Sequence, residues 1–328
     1  MRVYRDPTEL ASVPGNPRGN PRDEVVGRAV TIGAFDGVHL GHQAVLRLVR
    51  ELARARGLSA TVLTFDRHPA EVVRPGSAPK LLTTLDQKLE LLEATGSVDE
   101  CVVLPFDETR SKEPAEQFVE ELLASALRAR RVVVGADFHF GYRRHGDVPL
   151  LQRMGAELGF ETIGLGLVAA PDGDAGIPYS STRIRELLTA GDVEGAAAAL
   201  GRPHEVRGPV EHGDARGREL GFPTANVSVP ERICLPADGV YAGTFAGTDG
   251  VDRPAAISLG RRPTFYADAG LLLLEAHVLD FDGDLYGQAA RVRFTRRIRP
   301  QERFDDVDAL VARMHRDVEE ARRSFPGG

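Results

Sequence analysis

Apolar residues come in short runs along the first half of the chain. Ala29–Phe35 (AVTIGAF), Ala60–Phe65 (ATVLTF), Cys101–Phe106 (CVVLPF), Val132–Val134 and Thr162–Val168 read as strands. Between them the period changes. In Gly41–Arg56 the apolar residues Val45, Leu48, Val49 and Leu52 fall at i, i+3, i+4 and i+7, one face of a helix. Strands about 30–40 residues apart with helices between them predict βαβ units. Such units make a parallel sheet that takes its ligands at the carboxyl ends of the strands.

Near Gly191–Pro203 (GDVEGAAAALGRP) this rhythm ends. Short alternating strands follow, split by turn signals at Asp238-Gly239, Asp249-Gly250 and Asp282-Gly283. Val292 and Phe294 alternate with Arg291 and Arg293, so one face of that strand is buried and the other solvated. Many short strands with Gly/Asp turns predict a small antiparallel barrel. A last helix, Asp305–Arg323, places Val307, Leu310, Val311, Met314 and Val318 on one face to pack against it. Two domains are therefore expected: an α/β domain with a parallel sheet over 1–200, and a small antiparallel β-barrel with a C-terminal helix over 201–328.

Composition narrows the class. The 328 residues suffice for two cores, and 42% hydrophobic with 27% charged residues is a globular balance. A net charge of −7 argues against a nucleic-acid partner held by phosphate neutralisation. Cys101 and Cys234 lie in apolar runs and read as buried thiols of a reducing compartment, with no disulfide framework and no cysteine metal site. The start, MRVYRDPTEL, lacks the apolar core of a signal peptide, and no apolar stretch approaches the ~20 residues that span a bilayer. The expected location is the cytoplasm, with no membrane partner.

Two regions carry candidate chemistry. Residues 31–42 read TIGAFDGVHLGH: a strand, a Gly-containing loop, then His39 and His42 at the start of a helix. Helix N-termini have unpaired N–H groups and positive potential, which attract phosphate. The two imidazoles can donate to a phosphoryl transition state, and Gly41 permits close backbone approach. Two histidines at that spacing alone would also suit a core or surface pair, or half a metal site. The strand–loop–helix junction favours phosphate, and the sequence places no third metal ligand nearby. Ser180–Arg185 (SSTRIR) opens another helix, with capping hydroxyls and the cations Arg183 and Arg185. By itself it fits a capped helix with a solvated basic face equally well.

The second region lacks a G-x-x-x-x-G-K-[ST] loop, so any phosphoryl transfer there uses another scaffold. Gly213, Gly217 and Gly221 form a side-chain-poor arch whose N–H groups can wrap phosphates. It ends in Pro223-Thr224-Ala225-Asn226, where Thr224 and Asn226 share a face if extended and present oxygen, as suits Mg²⁺. An isolated PTAN would equally be a polar strand edge. Leu271–Asp280 (LLLLEAHVLD) is an apolar strand with one acid, Glu275, either functional or pointing outward.

GAFDGVHLGH, TFDRHP (64–69), VLPFD (103–107), VVGADFHFG (133–141) and SSTRIRELLTAGDV (180–193) follow one another in an order that resembles the adenylyltransferase half of prokaryotic bifunctional riboflavin kinase/FAD synthetases, within the nucleotidyltransferase superfamily. HGDARGRELGFPTAN (212–226), GVYAG (239–243), AISLGRRPTF (256–265), DFDGDLYG (280–287) and ERFDDVDALVARMHRDVE (302–319) resemble its riboflavin kinase half. The resemblance implies a Rossmann-like nucleotidyltransferase sheet followed by a riboflavin-kinase barrel. It implies that riboflavin is phosphorylated to FMN, and FMN adenylylated to FAD with release of pyrophosphate, using ATP and Mg²⁺. By the same resemblance Glu275 is the kinase base, and His39 and His42 serve adenylyl transfer. ATP and its phosphates would meet Gly33, Phe35, Gly41, Ser181, Thr182 and Arg185 in the first module, and Gly213, Gly217, Arg218 and Gly221 in the second. Phe65, His68, Pro69 and Asp137 would lie near flavin, and Thr224 and Asn226 would bind the metal. The chain departs from the family pattern at Asp137 and His139, where Asn and Arg are usual, and at Tyr179 and Arg262. The first two bear on the efficiency of adenylylation. The alternative reading is a riboflavin kinase with a weak or inactive adenylyltransferase module.

Overall fold

The computed structural model describes residues 1–5, 9, 27–166, 178–212, 217, 220–261 and 272–325. The described chain divides into two compact units, Met1–Ser180 and Ser181–Gly328.

In the first unit the buried runs pair side by side. β1 (Arg2–Tyr4), β2 (Arg28–Ile32), β3 (Ser59–Phe65), β4 (Glu100–Leu104), β5 (Ala129–Gly135) and β6 (Glu161–Leu165) form one six-stranded sheet in the order β1-β4-β3-β2-β5-β6. Every pairing in it is parallel. β2 and β4 are buried at every position, as strands are when both sheet faces are covered. The helices of this unit are α1 (Leu40–Arg56), the short α2 (Ala70–Val73), α3 (Leu85–Ala94), α4 (Glu108–Ser111) and α5 (Ala115–Gln117), a π-helix over Phe118–Ala126, and α6 (Val148–Leu158). Helix α1 buries Leu46, Val49 and Ala53, so its deepest stripe is shifted from the expected face: of Val45, Leu48, Val49 and Leu52 only Val49 is fully buried, and the other three pack half-buried against the core. From β2 the chain winds to β3 and β4 on one side, then returns to β5 on the other. That reversal opens a crevice at the carboxyl ends of β2 and β5, the usual place for a ligand.

Three sequence expectations change here. Gly33–Phe35 belong to the loop, because positive φ at Phe35 (49°), Gly37 (83°) and Val38 (41°) ends the strand early. β4 stops at Leu104, before Pro105, so Phe106 lies beyond it. The edge strand β1 was not foreseen; three residues carry too little pattern to read. Residues 167 and 168 of the last predicted strand lie outside the described residues.

The second unit begins at Ser181. Helices α7 (Ser181–Ala190) and α8 (Val193–Leu200) belong to it. Ala237 N donates to Leu188 O at 2.9 Å, and Arg297 Nη1 donates to Ala190 O at 3.2 Å. Strands β7 (His204–Glu211), β8 (Ala225–Val227), β9 (Gly239–Ala246), β10 (Arg253–Arg261), β11 (Leu272–Val278) and β12 (Ala289–Pro300) close a barrel in the order β10-β11-β8-β7-β12-β9. All its pairings are antiparallel. Val292 and Phe294 point into its core, both fully buried, as the alternation with Arg291 and Arg293 predicts. Asp249-Gly250 turns β9 into β10, whereas Asp238-Gly239 leads into β9.

The terminal helix α9 (Val307–Arg323) starts at an Asp306 cap. Its expected apolar face is corrected at one end: Val307 is 58% exposed. The contact lies nearer the C-terminus, where Val318, Ala321 and Phe325 pack with Ala242, Ala256 and Leu279. A buried ion pair adds to it, Arg299 Nε and Nη2 donating to Asp317 at 3.0 and 2.7 Å. Among the described residues, Asp317→Ala would leave that buried guanidinium with only the Pro300 carbonyl and the more distant Glu302, 3.8 Å away. We expect it to cost the barrel unit about 3–5 kcal/mol, read from its thermal or denaturant unfolding.

Candidate active sites

The first site stands at the end of β2. Asp36 locks the loop that follows: its carboxylate accepts from the N–H groups of Leu82 (2.9 Å) and Thr83 (3.1 Å). Gly37 N donates to Thr83 Oγ1 at 3.2 Å, and Gln43 Nε2 to Val38 O at 3.0 Å. These bonds hold two non-glycine residues, Phe35 and Val38, in left-handed conformations, a strain that concentrates at functional sites. The loop delivers His39 to the N-cap of α1, where its Nδ1 accepts from His42 N at 3.3 Å. An accepting Nδ1 leaves the ring proton on Nε2, so His39 presents Nε2–H as a donor. The His39 and His42 rings stack at 3.6 Å, and Phe35 lies 5.0 Å from His42. Among the described residues, His42 Nδ1 is buried with no hydrogen-bond partner. Burial, then His39, then Lys88 hold the His42 pKa well below its ordinary value, so its imidazole is neutral at pH 7. No acidic residue occupies the first turn of α1, where the helix's positive end lies.

Beside this junction lie the carboxyl ends of the neighbouring strands. Phe65 ends β3 and meets Phe106 edge to face at 5.3 Å, with Phe106 N bonded to Asp66 Oδ1 at 2.9 Å. His68 and Pro69 follow at the start of α2, where His68 Nδ1 accepts from Ala70 N at 3.1 Å. After β5, Asp137 and His139 are both exposed. The Asp137 carbonyl accepts from His139 Nδ1–H (2.8 Å), and Arg144 Nη2 lies 3.3 Å from that nitrogen. A cation thus accompanies His139. Gly33, Phe35, Gly41, His39 and His42 are brought together, with Phe65, His68, Pro69 and Asp137 on flanking strand ends. Tyr179 approaches Gly41, for a Cβ there would lie 3.1 Å from Tyr179 Cβ. Ser181, Thr182 and Arg185 open α7 in the second unit.

The second site lies across β7, β8 and β11. Asn226 pairs in register with Glu211 on one side and Glu275 on the other, and Glu275 pairs with Ser258 of β10. Directly opposed residues share a face. Leu274 and Ala276 are buried in the barrel, which puts Glu275 and Asn226 on its outer face, both half-buried. Glu275 therefore points outward, and it does so beside Asn226. Gly217 O accepts from Phe222 N at 2.7 Å, and a Cβ on Gly217 would lie 3.3 Å from Thr224 Oγ1. Phe222 is wedged between His277 and His315, while His277 Nδ1–H donates to Pro223 O at 2.8 Å. Gly221, at φ 85°, takes a conformation that glycine tolerates best. Gly213, Arg218 and Arg262 lie outside the described residues.

Sequence reasoning passed over Asp36, Thr83 and Lys88. Asp36 stood inside a quoted motif without a role. Thr83 and Lys88 precede and enter an ordinary amphipathic helix, where a hydroxyl and a lysine give no signal of burial.

A family model described as FAD synthetase matches residues 22–180, and one described as riboflavin kinase matches residues 200–325. Relatives named bifunctional riboflavin kinase/FMN adenylyltransferase include that of Escherichia coli K12, 38% identical over 300 residues, covering 91% of this chain and 93% of the relative. That of Pseudomonas fluorescens is 39% identical over 304 residues, covering 92% and 94%. A crystal structure from Streptococcus pneumoniae, described as a macrolide-efflux protein, superposes with a TM-score of 0.81 at 30% identity over 98% of each chain. Among the described residues of this chain, no helix is long and apolar enough to cross a membrane.

Proposed function

The chain belongs to the bifunctional riboflavin kinase/FMN adenylyltransferase family, and from that membership we propose that its barrel unit makes FMN from riboflavin and its sheet unit makes FAD from FMN, each with ATP. The observation that carries the proposal is that each half-family matches one of the two units, FAD synthetase over residues 22–180 and riboflavin kinase over residues 200–325.

For adenylyl transfer, an FMN phosphate oxygen attacks the α-phosphorus of ATP, and the bond to the bridging oxygen breaks to release pyrophosphate. Positioning and charge stabilisation supply most of such a rate enhancement. His39 Nε2–H, the neutral His42 and the N–H groups opening α1 would donate to the phosphate oxygens as charge moves onto them. Gly33 and Gly41 keep side chains out of the way. Phe65 and Phe106 offer an aromatic edge for flavin near His68, Pro69 and Asp137.

For phosphorylation, Glu275 would accept the proton of the ribityl 5′-hydroxyl as its oxygen attacks the γ-phosphorus and ADP departs. By family resemblance, Gly213, Gly217, Arg218 and Gly221 would meet the nucleotide phosphates. Thr224 and Asn226 present oxygen donors only, the chemistry a hard cation prefers. They would hold Mg²⁺, which neutralises phosphate charge. We assign the chain to the cytoplasm, since its two cysteines are buried thiols.

Gly41 supplies a graded test. A Cβ there would sit 3.1 Å from His39 Cε1 and Nδ1. Gly41→Ala should turn that ring and lower kcat/KM for FAD formation about tenfold, with thermal stability maintained because alanine favours the helix. The whole reading is tested by chromatography of products from riboflavin, ATP and Mg²⁺. FMN followed by FAD supports it. FMN alone would favour a kinase with an inactive first module, the outcome that exposed Asp137 makes worth testing.

A further inference from the structure

Lys88 lies on α3 with only 8% of its surface exposed, and neither reaction above uses it. Its Nζ donates to Ala34 O at 3.2 Å, Thr64 Oγ1 at 3.1 Å and Phe65 O at 2.9 Å. Three protons meet three acceptors, and none of these is a carboxylate. A buried ammonium without a bonded counter-ion is costly to keep. The acceptors show what it does. Ala34 lies in the strained loop between β2 and α1, ahead of Phe35, Gly37 and Val38 at positive φ. Thr64 and Phe65 end β3, where Phe65 meets Phe106. One ammonium therefore ties the loop leading to His39 to the strand end bearing the aromatic pair. Thr64 Oγ1 reinforces the tie by donating to Ala34 O at 3.3 Å.

We propose that Lys88 is a positioning residue for adenylyl transfer, fixing the phosphate loop against the flavin end of β3 and directing its charge toward the His39/His42 pair. The inference rests on assigning that junction to adenylyl transfer. A second observation agrees with the geometry. The groups that act on His42 are the His39 ring, stacked on it, and the Lys88 ammonium, reaching from α3; both hold its pKa down, after burial itself. Burial lowers the pKa of Lys88 as well, against the opposing pull of Asp36, Cys101 and Asp66. Removing the ammonium takes away one of the influences that hold the His42 pKa down, so that pKa is expected to rise.

The test uses the full chain with Lys88→Met, which keeps the stem and loses the charge, and Lys88→Arg, which keeps charge and donors. FAD formation from FMN and FMN formation from riboflavin are measured on the same preparations, and His42 is titrated by imidazole NMR. With Lys88→Met, kcat for FAD formation should fall about 10²-fold with KM for ATP little changed. FMN formation should be unaffected, and His42 should titrate at higher pH. Lys88→Arg should recover part of kcat and keep the His42 titration low. Wild-type kcat in Lys88→Met overturns the proposal. So does a loss that only follows the folded fraction while the His42 titration stays put. If Lys88→Met does not fold, Thr64→Val removes one acceptor, and wild-type kcat there overturns the proposal equally. A His39→Ala/His42→Ala control separates the premise: if FAD formation survives in it, the site assignment fails rather than the role of Lys88.

Discussion

Replacing His39 and His42 together by alanine should abolish measurable FAD formation while FMN formation from riboflavin stays close to wild type. Each lost donor to a developing phosphate charge costs about 10²–10³ in kcat, so the pair together should exceed the smaller figure comfortably. The rings stack at 3.6 Å, and the His39 ring also caps α1. The double variant therefore loses both the donors and the cap. Losing the cap alone costs about 1 kcal/mol, too little to unfold the unit. The measurement is steady-state FAD production from supplied FMN beside FMN production from riboflavin. Loss of both activities in a folded protein would show that the two sites depend on one another.

The converse variant lies in the barrel. Glu275→Gln keeps the size of the side chain and removes its basicity, and a general base is worth about 10²–10⁴-fold. FMN formation should fall by that amount, while adenylylation of supplied FMN continues. The register explains why the loss should be chemical. Glu275 sits on the outer barrel face opposite Asn226, away from the core that Leu274 and Ala276 fill. Unaltered FMN formation would remove Glu275 from the reaction.

Much of this was readable from residue order. The 2.0 and 3.6 periods marked the strands and α1, and Val292 and Phe294 fell inside the barrel as their alternation requires. What pattern cannot register is a local conformation fixed from far away. Gly33–Phe35 read as the end of a strand, yet Asp36 bonds to Leu82 and Thr83, and that distant clamp turns the chain into a loop. Val307 fitted the apolar face of α9 by spacing, but the buried pair of Arg299 and Asp317 anchors the helix farther along. For the sites, motif order pointed to His39, His42, Thr224, Asn226 and Glu275. Sequence alone left open which way Glu275 faced, because a strand with four leucines before it gives no alternation to read. Lys88 was invisible for a different reason: a lysine in a helix reads as solvated until its three acceptors are seen.

Two sites in one chain, each acting on a different phosphorus of ATP, make a claim that labelled nucleotide tests directly. Riboflavin is incubated with the full chain and Mg²⁺, once with γ-³²P-ATP and once with α-³²P-ATP, and the flavins are separated. The account predicts γ-label in FMN and FAD, and α-label in FAD alone. A chain that puts γ-label into FMN but never α-label into any flavin would contradict it.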